Sequence, residues 1–270
     1  MTDSLIPDKV VDRLPEWRGA TCTELGGGLT NRVWLLQKND RKAVLKVDDD
    51  VRGLPFNTRK EEAVVQASAA SVGLANPVLF ASEQVYLTEY IDGSRWDPVA
   101  LDLAGKTEQL ASSLRRIHAL PRTGRSFDAA GAANEYAQNI VDPDRELVSL
   151  CLRSILDVRL PNYLCCCHND LVAENILATP SLKFLDWEYA CDNDPMFDLA
   201  TIVEHHELTE SQAFALLDAY FEGAGEQWRV ALAAQQRVYL SLHYLWKASR
   251  GDTSQKSLTR LGERLTTNCS

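Results

Sequence analysis

The chain has no stretch of eighteen consecutive apolar residues, which removes a membrane-spanning helix from consideration. Its first residues, Met1-Thr2-Asp3-Ser4-Leu5, lack the basic segment and hydrophobic run of a secretory signal, so a cytoplasmic location is expected. Positive charge is scarce: 28 Lys and Arg stand against 38 Asp and Glu, a formal net charge of −10. Such a surface repels nucleic acid and anionic membranes and tilts the expected partner toward a small cationic molecule. Repeats and low-complexity tracts are absent, and 45% hydrophobic residues over 270 positions suffice for one large or two modest cores. Nothing in the sequence speaks to oligomeric state.

Cysteine is present but not in a ligand pattern. Of seven, three are consecutive, Cys165-Cys166-Cys167, in what reads as a buried strand. Neighbours on a strand face opposite ways and do not pair, and there is no second cluster with metal-ligand spacing. The expectation is that they serve as small apolar residues of a reducing compartment.

What the chain does have follows directly. His168-Asn169-Asp170-Leu171-Val172-Ala173-Glu174-Asn175-Ile176-Leu177 leads, nine residues on, to Asp186-Trp187-Glu188. Asp170 and Asn175 are five apart across a short loop that enters an apolar run. Leu182-Lys183-Phe184-Leu185 reads as a strand that delivers Asp186. One carboxylate beside a hydroxyl, with two further hard oxygen donors, is the set that phosphoryl transfer from Mg-ATP requires. Asp170 is the candidate base, with Asn175 and Asp186 the candidate magnesium ligands. Each residue alone would pass as a cap or turn residue; the pattern as a whole would not.

Near the N-terminus, Cys22–Leu25 and Arg32–Leu36 read as strands flanking Gly26-Gly27-Gly28-Leu29-Thr30, either a tight hairpin or a flap whose N–H groups approach phosphates. After an Asn39-Asp40 turn, Lys42–Val47 reads as a strand with Lys46 near its end and Lys42 as the rival lysine. The helix Thr58–Ser71 offers Glu61 and Glu62 as partners.

His168–Leu177, Asp186-Trp187-Glu188-Tyr189-Ala190, Asn193-Asp194-Pro195 and Phe197-Asp198-Leu199-Ala200 resemble the choline/ethanolamine kinase and aminoglycoside phosphotransferase superfamily, bacterial choline kinase-like and thiamine kinase-like proteins above all. The resemblance implies an α+β, bilobal, protein-kinase-like fold. Residues 1–91 would form a small antiparallel-sheet lobe with one helix, and 92–270 a larger, mainly helical lobe. It implies ATP and Mg²⁺ as cofactors, Lys46 and Glu62 as a pair at the nucleotide, and Gly26, Gly27, Gly28 and Thr30 over the phosphates. Thr88, Glu89, Tyr90 and Ile91 would form the adenine-binding hinge, although the same residues read equally as a strand ending in an Asp92-Gly93 turn. Glu188 would sit beside the metal, and Asp198 would stabilise the catalytic loop rather than react.

Protein kinases carry a long activation segment and an Ala-Pro-Glu signature, and this chain lacks both, which favours a small-molecule acceptor. A quaternary ammonium needs aromatic faces, and Trp187, Tyr244 and Trp246 are candidates, Tyr244 and Trp246 being equally readable as core. The implied activity is ATP-dependent phosphorylation of an alcohol hydroxyl, of choline or a related cationic amino alcohol. Thiamine, an aminoglycoside, or a non-catalytic nucleotide-binding role are the alternatives.

Overall fold

The computed structural model describes residues 7–25, 32–48, 56–97, 105–158, 163–251, 259 and 261–265. In chain order its elements are α1 (Pro7–Val11), β1 (Thr21–Leu25), β2 (Arg32–Lys38), β3 (Arg41–Val47), α2 (Arg59–Ser71), β4 (Val78–Ala81), β5 (Val85–Glu89), β6 (Ser94–Arg95), α3 (Lys106–His118), α4 (Ala129–Gln138), α5 (Arg145–Leu156), β7 (Cys165–Cys167), β8 (Ile176–Ala178), β9 (Lys183–Phe184), β10 (Cys191–Asn193), α6 (Pro195–His205), α7 (Glu210–Tyr220) and α8 (Arg229–Ser249). Two compact units divide the chain. One comprises the described residues up to Arg95 together with Asn175–Ala190; the other comprises Trp96–Glu174 together with the described residues from Cys191 onward. The hairpin β8–β9 thus groups with the N-terminal sheet.

The first unit is built on an antiparallel sheet of order β1-β2-β3-β5-β4. Strand alternation sends Trp34 and Leu36 of β2, and Ala43, Leu45 and Val47 of β3, into one core with Val10, Val11, Leu14 and Trp17. Lys46 lies between Leu45 and Val47 in sequence, so alternation turns it to the opposite face of the sheet. Asn39, at φ 53°, makes the two-residue turn that sets the β2–β3 register. Helix α2 opens on a capping box in which the Thr58 side chain and Glu61 satisfy each other's backbone N–H groups, and it buries Arg59, Glu62, Gln66 and Ala69 along one face. Its last turn gives way to Gly73 at φ +77°, a conformation that suits glycine. A second small sheet, β6-β8-β9, completes the unit.

Among the described residues, the second unit is helical apart from the antiparallel pair β7–β10 and the isolated bridge Ser126↔Asp192. Its core gathers Ala132, Ala133, Cys151, Ile155, Phe197, Val238, Leu242, Tyr244 and Leu245. Helix α4 begins at Ala129 despite Gly131 in its first turn. The Asp128 carboxylate accepts the Gly131 N–H, and this cap with the alanines that follow outweighs the glycine. Helix α6 starts in the same way: the Asp194 side chain caps Met196 N–H, and Pro195 occupies the first helical position. The sequence pattern predicts a helix over 100–119, of which residues 100–104 lie outside the described residues.

Candidate active site

In the first unit, Lys46 stands between two carboxylates. Its Nζ donates to Glu62 Oε1 at 3.2 Å and to Asp186 Oδ1 at 2.6 Å. Burial alone would lower the Lys46 pKa, but Asp186 and then Glu62 outweigh it and raise the value above that of a free lysine. Glu61 is spent on the capping box, which assigns the partner role to Glu62. Lys42, the rival, is more exposed, 3.7 Å from Asp92 and set over the Tyr90 ring.

Asp186 sits at φ 62°, ψ 67°, a left-handed conformation that costs a non-glycine residue of order 1 kcal/mol and tends to persist where function demands a direction. Asn175 and Asp186 are brought together by the hairpin register: the Leu185 N–H donates to the Asn175 carbonyl at 2.8 Å, continuing the pairs Ile176↔Phe184 and Leu177↔Lys183. Two hard oxygen side chains at one end of a short hairpin, with the Asp186 side chain 30% exposed, fit a small divalent cation that keeps part of its water shell.

Glu188 is buried and held by residues that the sequence did not single out. Asn57 donates its backbone N–H to the Glu188 carbonyl at 2.7 Å, and its side-chain amide to Trp187 O at 3.2 Å and Ala190 O at 2.9 Å, strapping the turn after β9. Arg59, with no exposed surface, reaches Asp48, Glu62 and Glu188. Neither was legible in advance, because an Arg beside a helix start usually reads as solvated. Trp187 is fully buried and donates its indole N–H to the Phe184 carbonyl at 3.0 Å, which makes it a packing residue rather than a substrate contact.

At the end of β5, Thr88 is buried, Glu89 N–H donates to Pro77 O at 3.0 Å, and Tyr90 N–H donates to Lys42 O at 3.2 Å. Gly26, Gly27, Gly28 and Thr30 lie outside the described residues, whereas Ile91 follows Tyr90 half-buried.

In the second unit, β7 delivers the loop that carries Asp170. The Asp198 carboxylate accepts His168 N–H at 2.8 Å with one oxygen and Asn169 N–H at 2.7 Å with the other. Asn169, at φ 64°, is tied further by Asn193, whose Nδ2 donates to its Oδ1 at 2.8 Å. His118 braces Asp198 from α3, Nε2 to Oδ2 at 3.1 Å, while its Nδ1 meets the Tyr220 hydroxyl at 2.7 Å. Sequence spacing could not have found His118, which lies fifty positions before the loop. Beyond Asp170, the His206 ring contacts Leu171 O at 2.9 Å, and His205 lies 3.4 Å from Glu174.

Cys165, Cys166, Cys167 and Cys191 are buried, and desolvation pushes the Cys166 and Cys191 thiols up to about 12, so they remain protonated. The fold also brings His118 near Cys165 and Cys167, whose sulfurs are 3.7 Å apart, but its two ring nitrogens are already engaged by Asp198 and Tyr220.

On α8 the aromatic face differs from the expected one. Tyr244 is 6% exposed and belongs to the core with α4 and α5, which removes it from the substrate-contacting set. Trp246 lies on the other side, in a ladder with His243 at 6.4 Å and then Tyr239 at 5.6 Å. The Tyr239 phenol is raised by burial and then by the negative charge of Asp170 and Glu204, which sets this face in the field of the loop carboxylate. Burial lowers His243 and His206 to about 4, leaving both neutral at pH 7.

Protein LicA of Haemophilus influenzae is 33% identical over 207 residues, 72% of this chain, and the matched stretch spans 61% of that protein's length. Thiamine kinase of Salmonella typhimurium is 26% identical over 80% of this chain and 76% of its own. The crystal structure of choline kinase LicA from Streptococcus pneumoniae superposes with a TM-score of 0.77 at 19% identity, over 97% of this chain and 98% of that one, and a LicA complex with AMP superposes with the same score. Residues 21–233 match the family model for the phosphotransferase enzyme family, and the chain belongs to that family.

Proposed function

We propose that this chain is an ATP-dependent kinase that transfers the γ-phosphoryl group to the hydroxyl of a small cationic amino alcohol, choline foremost. The observation that carries the reading is the Lys46–Glu62–Asp186 cluster at the open end of the β8–β9 hairpin, where Asn175 also sits. A lysine held between a helix glutamate and a strand-end aspartate is built to exchange one carboxylate for phosphate oxygens. Thr88–Ile91 would meet the adenine, and Lys46 would steady the phosphates with the Gly26–Thr30 segment.

Asn175 and Asp186 would hold magnesium, with Glu188 beside them; the ion, when bound, neutralises charge on the transferring phosphoryl group. Asp170 would orient the acceptor hydroxyl and take its proton, and Asp198 would keep the loop N–H groups fixed while it does so. Trp246, with His243 and Tyr239, would face the cationic end of the acceptor. Thiamine remains the second reading, because it is also a cationic alcohol and a thiamine kinase aligns with 80% of the chain. No helix among the described residues is long and apolar enough to cross a membrane. A kinase that draws on ATP would work in the cytoplasm, where its nucleotide is.

The test is ADP release by the purified chain with Mg-ATP and, in turn, choline, ethanolamine, thiamine, an aminoglycoside and a sugar. Stimulation by choline or ethanolamine is the expected result; stimulation by thiamine alone selects the second reading. No stimulation by any member would overturn both.

A further inference from the structure

Glu62 lies between two cations. One oxygen takes Lys46, and the other takes Arg59 Nη1 at 2.6 Å. Arg59 in turn grips Asp48 with two prongs, Nε to Oδ2 and Nη2 to Oδ1, both at 2.7 Å, and its Nη1 stands 3.9 Å from Glu188 Oε2. All of these groups belong to one unit, and both the Arg59 and Glu62 side chains are fully buried. A buried guanidinium fork that satisfies two carboxylates fixes their planes, which a lysine could not do.

We propose that Arg59 is a positioning residue for nucleotide binding, acting through Glu62. The proposal rests on the kinase reading above. In the structure Lys46 is bound more closely by Asp186 than by Glu62, at 2.6 Å against 3.2 Å. To serve phosphates, Lys46 must give up Asp186 and keep Glu62 as its anchor. Glu62 can do this only if its second oxygen is held. Without Arg59, that oxygen loses its partner in a buried site, and the carboxylate turns both oxygens to Lys46 and draws it away from the nucleotide. Arg59 also offsets one of the three negative charges, Asp186, Glu62 and Glu188, that act on Lys46.

The test compares Arg59→Met, Glu62→Gln, the double variant and Arg59→Lys. ADP binding with magnesium is followed by calorimetry, the melting temperature without ligand is recorded, and KM is measured for ATP and for the acceptor. Arg59→Met is expected to weaken Mg-ADP roughly tenfold or more and to raise KM for ATP while leaving acceptor KM within about twofold. The double variant should bind about as weakly as either single one, a departure from additivity of roughly fivefold or more. Arg59→Lys, which keeps the charge but not the fork, should fall between, and it carries the test if Arg59→Met does not fold. Wild-type nucleotide affinity in Arg59→Met, or in Arg59→Lys where the former does not fold, overturns the proposal. So do effects of Arg59→Met and Glu62→Gln that simply multiply. A wild-type chain that binds no nucleotide refutes the kinase reading instead, a distinct outcome.

Discussion

Replacing Asp198 with alanine removes the carboxylate that accepts His168 N–H at 2.8 Å and Asn169 N–H at 2.7 Å and that receives the His118 ring at 3.1 Å. Asp198 and His168 have no exposed surface, and Asn169 is 8% exposed, so water cannot readily replace the lost acceptor. Each buried N–H left without a partner costs about 1–3 kcal/mol, and the two together with His118 give a loss of roughly 3–6 kcal/mol. For a chain of this size each kcal/mol moves the melting temperature by about 2–4 °C, so a fall on the order of 10 °C is expected. Asp170 is next in the chain to Asn169. Its loss of orientation should lower kcat by about a hundredfold or more while KM for ATP stays near wild type, since the Lys46 cluster is untouched. The assays are thermal unfolding and steady-state kinetics on Asp198→Ala and Asp198→Asn, the latter keeping one acceptor oxygen and so an intermediate loss. A variant that melts within 2 °C of wild type, by the same scaling, and turns over normally would refute the assignment of Asp198 as the support of the loop.

Lys46→Ala should abolish the rise in melting temperature that Mg-ATP gives the wild-type protein, because the cation facing Asp186 and Glu62 is gone; a full ligand-induced rise in that variant contradicts the nucleotide role. Trp246→Ala should raise acceptor KM with little change in melting, whereas Tyr244→Ala should cost about 3–5 kcal/mol of stability with acceptor KM unchanged, and the reverse pattern would restore Tyr244 as the acceptor contact. Burial lowers His206 and His243 to about 4 in the folded chain, against about 6.5 unfolded, so the unfolded state binds more protons between those values. Stability is therefore complete above pH 6.5 and declines as pH falls toward 4. Asp194 and Glu204, raised by burial, oppose the decline at its acid end. Unfolding free energy measured from pH 8 to 4 should show the loss, and His206→Gln should flatten it.

Much of the local architecture was legible because it rests on short-range chemistry. The Asn39-Asp40 turn, the Thr58 cap and the alternation of β3 are written in neighbouring residues, and so is the hairpin that joins Asn175 to Asp186. Residues that act across the chain were not legible. Arg59 and His118 become structural anchors only when Asp48 and Asp198 fold onto them, eleven and eighty positions away. Trp187 and Tyr244 misled for a related reason: an aromatic beside a motif or on a periodic helix suggests a binding surface, and only the packing of β9 and of α4 and α5 shows which face is buried.

Phosphorus NMR of the purified chain with Mg-ATP and choline, run beside folded Asp170→Ala, addresses the central claim most directly. A new phosphomonoester signal that grows with ADP in the wild type and is missing from the variant is the predicted result. A phosphomonoester formed at the same rate by Asp170→Ala, or ATP left intact with every alcohol tried, would contradict it.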